Sequence, residues 1–118
     1  MSRSSSVDQL LGLARRAGAL VHGTEAVRQS IRDGAARLVL FAGDASPTQL
    51  DKIRRTLETR PTPQATLGDR ATLGSAIGLA PVSAVAVTST SLASRISAEL
   101  GDAVSVRGAV AAAVAAEE

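Results

Sequence analysis

The sequence predicts an α/β domain, a three-layer α/β/α sandwich around a central mixed sheet of about four strands. Three observations point there. Amphipathic helical stretches alternate with short runs rich in β-branched residues along the chain. The run at 37–42 is apolar at almost every position, the pattern of a central strand covered on both faces, and 83–88 is a second strong strand. Finally, 45% of the 118 residues are apolar, enough for one core and one domain of ordinary size. That core must be aliphatic, because Phe41 is the only aromatic residue.

The elements follow in order. Ser6 is expected to cap a first helix whose apolar face is Val7, Leu10, Leu11 and Ala14, with Gly18 ending it. Ala19-Leu20-Val21 reads as a short extended link. Gly23-Thr24 opens a second helix that runs to Asp33, buries Val27 and Ile31, and closes at Gly34. The run from Arg37 to Ala42 is the first strong strand, followed by a loop at Gly43-Asp44-Ala45. Ser46-Pro47 is a cap followed by proline at the first helical position. The third helix buries Leu50, Ile53 and Leu57 and stops before Pro61 and Pro63. Ala65-Thr66-Leu67 is a weak strand, and a short helix around Ala71–Ile77 ends at Gly78. Ser83–Thr88 is the second strong strand, and Ser91–Leu100 is a helix burying Leu92, Ile96 and Leu100. Val104 and Val106 suggest an edge strand. The domain is therefore placed at 1–100, with 101–118 an alanine-rich tail of frayed or independent helix.

Composition excludes several classes. The chain has no cysteine, which rules out disulfides and thiolate metal sites. No apolar run approaches the roughly 20 residues needed to cross a bilayer, and no secretory segment opens the sequence, so the expected compartment is the cytoplasm, without membrane contact. Charge is uneven: residues 1–60 carry ten Lys/Arg against six Asp/Glu, residues 61–118 three against five. Twelve of the thirteen cations are Arg, the residue suited to bidentate phosphate contacts.

Catalytic chemistry finds no support. His22 is the only histidine, read as a polar loop residue with no ligand partners. Asp44 and Asp69 each follow a glycine at a strand end, where turn chemistry outweighs metal or ribose binding. Gly12, Gly18 and Gly23 lack dinucleotide-loop spacing. No catalytic residue, metal site or cofactor is expected.

An anionic polymer fits better. The second helix carries Glu25, Arg28, Gln29 and Arg32 at three- and four-residue spacing, and it opens at Gly23-Thr24, where backbone N–H groups and the helix dipole favour a phosphate. Arg15 and Arg16 end the preceding helix and can reach the same side. The scarcity of aromatics argues against modules that read bases by stacking. Such a protein would read RNA by shape, phosphates and a few base edges.

Several stretches in order then carry a resemblance. Leu11-Gly12-Leu13-Ala14-Arg15-Arg16-Ala17-Gly18, Gly23 with its helix, Leu38-Val39-Leu40-Phe41-Ala42-Gly43-Asp44-Ala45-Ser46-Pro47, Gly68-Asp69-Arg70, Leu73-Gly74-Ser75-Ala76-Ile77-Gly78 and Ala84-Val85-Ala86-Val87-Thr88 together resemble the YlxQ-like branch of the kink-turn RNA-binding ribosomal-protein superfamily. The resemblance covers about residues 7–100 and implies the same three-layer sandwich. It implies that RNA docks at the opening of the second helix, from Gly23 onward, and on an apolar loop at Leu79–Ser83 centred on Pro81 and Val82. Kink-turn binders of this kind open that helix with Gly-x-Asn-Glu and place a lysine one turn on. Here Glu25 stands at the Asn position, Ala26 at the Glu position and Gln29 at the Lys position.

The function expected is thus non-catalytic binding of structured RNA, ribosomal or kink-turn-like, by a monomer, through Gly23, Thr24, Glu25, Arg28, Gln29, Arg32, Pro81, Val82 and Ser83. The alternative is a protein-interaction module of the same fold beside the transcription or translation machinery, with RNA specificity lost. An enzyme is the third reading, kept only because RNA-modifying enzymes can carry related domains.

Overall fold

The computed structural model describes residues 3–105. Its elements alternate as expected: α1 (Arg3–Arg16), β1 (Leu20–His22), α2 (Thr24–Arg32), β2 (Leu38–Phe41), α3 (Pro47–Thr59), β3 (Gln64–Thr66), α4 (Arg70–Ala76), β4 (Ala84–Val87) and α5 (Thr90–Leu100), then a 3₁₀ turn at Gly101–Ala103. The four strands lie in the order β1-β4-β2-β3. β2 runs parallel to β3 and antiparallel to β4, and β4 is antiparallel to β1, so the sheet is mixed.

The sandwich follows from the pleat. Leu38 and Leu40 of β2, with Val85 and Val87 of β4, point to one face and pack with α1, α4 and α5 through residues such as Leu11, Leu73 and Ile96. Val39 and Phe41, with Ala84 and Ala86, point to the other and pack under α2 and α3 against Val27, Ile31, Ile53 and Leu57. All four residues of β2 and of β4 are buried, as their continuous apolar runs require. The small alanines of β4 on the second face leave room for α2 to approach the sheet.

Some elements differ from the sequence reading. α1 starts at Arg3, so Ser6 lies inside it rather than capping it; serine costs only about 0.5 kcal/mol in a helix interior, too little to end one. The fourth strand is β1, not the Val104–Val106 edge. Leu20–His22 pairs with Val85–Val87, so His22 ends a strand and is not a loop residue. Three residues are too few to show a period, and partner β4 decides their fate. On the opposite edge Ser105 makes a single antiparallel bridge to Gln64, while Val104 packs on the core; Val106 and the alanine-rich stretch lie outside the described residues. β3 begins one residue early, directly after Pro63. α5 begins at Thr90 because the Ser89 hydroxyl accepts from the Leu92 N–H, at 3.2 Å.

Candidate functional site

The fold brings two distant segments together at one edge. The end of β1 and the start of α2 (His22, Gly23, Thr24) face the loop Leu79–Ser83 across an open groove of about 540 Å³, with Gln49 of α3 completing it. The sheet explains the meeting. Gly23 N–H donates to the Ala84 carbonyl at 3.0 Å, so the residue that opens α2 is tied to the residue that follows the loop. Gly23 holds φ at 90°, a backbone conformation costly for any residue with a Cβ.

α2 differs from its neighbours at its N-terminus. Ser46, Asp69 and Ser89 cap α3, α4 and α5 with side chains, but no side chain caps α2. Its first intrahelical bond is Val27 N–H to Gly23 carbonyl, 3.0 Å, which leaves the N–H groups of the first turn open to an external acceptor.

The polar face of α2 is already engaged. Arg28 Nη1 donates to both Glu25 carboxylate oxygens at 3.1 and 3.0 Å, and its Nε reaches Thr56 Oγ1 of α3 at 3.3 Å. Gln29 Nε2 donates to Asp33 Oδ1 at 2.8 Å. Arg32 is exposed. Of the nine predicted site residues, Gly23, Thr24, Pro81, Val82 and Ser83 line the groove, and Glu25, Arg28, Gln29 and Arg32 do not.

The apolar loop is held from behind by α4. Leu79 N–H donates to the Gly74 carbonyl at 2.8 Å and Val82 N–H to the Arg70 carbonyl at 3.1 Å. Gly74 is buried, and a Cβ there would overlap the Ala80 carbonyl group, 2.8 Å from its carbon. α4 is in turn fixed at its start. The Asp69 carboxylate accepts from Thr72 N–H at 2.8 Å while the Thr72 hydroxyl accepts from Asp69 N–H at 2.9 Å, a reciprocal cap. The Thr72 backbone N–H, the strongest influence, holds the Asp69 carboxyl below the usual carboxylate range. Asp44 Oδ1 accepts from Arg70 N–H at 2.7 Å. Both acids therefore do turn and cap chemistry, as the sequence suggested. Among the described residues no cluster of metal-ligating side chains occurs.

Residues 5–97 match the Ribosomal protein L7Ae/L30e/S12e/Gadd45 family. The chain belongs to this family. Within the family it is similar to the RNA-binding protein YlxQ of Bacillus subtilis (strain 168), at 37% identity over 87 residues, which is 74% of this chain and 87% of the relative. A solved protein of unknown function from Bacillus halodurans C superposes with a TM-score of 0.75 at 29% identity, over 80% of this chain and 95% of that one. The Giardia lamblia 15.5kD RNA binding protein superposes at 0.71 with 20% identity, over 86% and 87% of the two chains, a likeness of fold. Both superpositions agree with the mixed four-stranded sandwich of this family member.

Two groove residues escaped the sequence reading. Gln49 sits in the first turn of α3 and reaches the groove only through tertiary packing, which no local pattern reveals. His22 was visible as the only histidine, but its place beside Gly23 gained meaning only once β1 paired with β4.

Proposed function

We propose that this chain is a non-catalytic RNA-binding protein that docks structured RNA, of ribosomal or kink-turn-like form, at the groove between the start of α2 and the Leu79–Ser83 loop. The observation that carries the proposal is the convergence of an uncapped helix N-terminus and an apolar loop on one open groove. Its volume lies in the roughly 300–1,000 Å³ range of small-ligand sites, suited to one unstacked nucleotide. Leu79, Pro81 and Val82 offer apolar surface to a base. The Thr24 hydroxyl and the open N–H groups of α2 suit a phosphate, and the Gln49 amide and His22 ring suit base edges. The Bacillus subtilis relative, named as an RNA-binding protein, supports the same reading.

The groove and the base-reading positions give different expectations. Glu25 is held by Arg28, and the Ala26 side chain has no polar atom. Neither can supply the amide and free carboxylate contacts that the resemblance implies for kink-turn reading. Losing such contacts costs about 1–3 kcal/mol of discrimination each. Binding is therefore led by phosphates and the unpaired nucleotide, with modest preference for a kink-turn over other RNAs that expose one. The Glu25–Arg28 pair also favours a second reading, a protein-binding module on the same surface, because it neutralises one cation of the polar face of α2.

Titration of a kink-turn RNA, a bulged hairpin and a plain duplex across a salt series separates these. The expected result is kink-turn and bulged RNA bound above duplex, with Val82→Asp removing the difference. No binding to any RNA at low salt overturns the proposal in favour of the protein-binding reading.

A further inference from the structure

We infer that Arg15 and Arg16 form a second RNA contact, a two-guanidinium clamp for a backbone phosphodiester of the strand that leaves the first groove; this rests on the RNA-binding reading above. A shallow groove of about 430 Å³ lies where α1 and α4 end, lined by Gly12, Arg15, Arg16, Ala76, Ile77 and Gly78. It adjoins the first groove along the chain, since Gly78 of one is followed directly by Leu79 of the other.

Two glycines make space for the cations. A Cβ on Gly12 would lie 3.3 Å from Arg16 Nη1 and 3.4 Å from the Ala76 carbonyl oxygen, and one on Gly78 would lie 3.5 Å from Arg15 Nη1. Each guanidinium thus lies beside a glycine, and both line one groove. Arg15 is fixed there: its Nη1 donates to the Ile77 carbonyl at the C-cap of α4, where the negative end of the helix dipole favours a cation. That bond uses one of five guanidinium N–H donors and leaves the rest available.

Neither cation is neutralised by an ion pair among the described residues. Among the described residues the two ion pairs are Arg28 with Glu25 and Arg70 with Asp44. Arg15 and Arg16 are exposed and have no carboxylate of the described residues within 4.0 Å; Glu99 shares a neighbouring groove with Arg16 without pairing to it. Neighbouring guanidiniums without a carboxylate partner match a tetrahedral anion by bidentate bonds. In RNA that anion recurs every nucleotide, so a strand seated at Leu79–Ser83 presents the next phosphates along Gly78.

The experiment measures affinity for bulged RNA against salt for wild type, Arg16→Gln, Arg15→Gln/Arg16→Gln and Val82→Asp, with thermal melting of each. Each lost phosphate contact lowers the slope of log affinity against log salt by about 0.7–0.9. Arg16→Gln is expected to remove about one such step and the double variant about two, with roughly tenfold or greater loss of affinity at low salt. If loss of the Ile77 bond unfolds the double variant, Arg16→Gln alone decides. Unchanged slopes in the arginine variants, with the affinity for bulged RNA lowered in Val82→Asp, overturn the clamp and leave the first groove standing. Absence of RNA binding by the wild type overturns both. Inorganic phosphate displacing RNA far better than chloride of equal ionic strength overturns the assignment to RNA in favour of a free phosphate site.

Discussion

Glu25 and Arg28 stand three residues apart on α2 and share two hydrogen bonds, with Glu25 on the solvent side and Arg28 three-quarters covered, 24% of its side chain being exposed. A pair with its carboxylate in solvent contributes at most about 1 kcal/mol to stability, so its larger effect is on the field beside the groove. Glu25→Gln removes a negative charge from the first turn of α2 and releases the Arg28 guanidinium. The expected result is several-fold tighter RNA binding at low salt and a steeper salt slope, by about 0.9 for one added phosphate contact, with the melting temperature little changed. Weaker binding in this variant would show that the carboxylate itself touches RNA. Asp69 makes a second case. Its carboxyl is held below its ordinary value of 3.8 by the Thr72 N–H, so the unfolded chain binds the proton more readily than the folded one. The stability it contributes is present above that ordinary value and lost as pH falls through the lower folded one. Asn also caps helices but does not titrate. Asp69→Asn is therefore expected to melt like the wild type at neutral pH and to lose less stability on acidification, measured by melting from pH 7 to pH 2. The sequence already carried the clue to the first pair, because Glu25 and Arg28 have i,i+3 spacing and Gln29 and Asp33 i,i+4. Those spacings served equally well for an exposed RNA-facing stripe, and only side-chain geometry decides between the two.

At the scale of elements, α4 works as a backstop for the apolar loop. Its start is fixed by Asp69, Thr72 and Asp44, and its Gly74 lets the Leu79-Ala80 backbone lie directly against it. Gly74→Ala forces that backbone away, at about 1–3 kcal/mol for overpacking a buried site. The loop carries one wall of the groove, so the variant is expected to lose RNA affinity at temperatures where it remains fully folded. Circular dichroism and titration on the same sample check this, and unchanged affinity with lowered stability would detach the loop from binding. The segments that build the groove were legible one at a time. Gly23-Thr24 announced a helix start, and the Leu79–Ser83 stretch announced an apolar loop through the resemblance. What the sequence did not carry was β1: Leu20–His22 is too short to show a period, and its pairing with β4 is what brings those two segments face to face. Gln49 and the Arg15–Ile77 bond depend on tertiary packing in the same way.

For the whole molecule, the two faces of the sheet have different duties. The α1–α4–α5 face holds bulky aliphatic residues such as Leu11, Leu40, Val85 and Ile96, while the α2–α3 face sets α2 on the small residues Ala84 and Ala86. The first face mainly supplies burial; the second also sets how far α2, and with it Gly23 and Thr24, stands from the sheet. Two substitutions separate these duties. Leu40→Ala leaves a cavity on the first face and is expected to cost about 2–5 kcal/mol. The groove would keep its shape, so RNA affinity per folded molecule should stay at the wild-type level. Ala86→Leu overfills the second face and is expected to cost about 1–3 kcal/mol by pushing α2 outward. That shift opens the groove between Thr24 and the Leu79–Ser83 loop, so affinity should fall even where the protein is fully folded. The check is a pair of denaturant titrations with RNA affinities measured well below each midpoint. The larger stability loss should accompany the smaller affinity loss. If both variants lose affinity only in proportion to their unfolded fraction, the spacing of α2 does not govern binding, and docking belongs to the loop side of the groove alone.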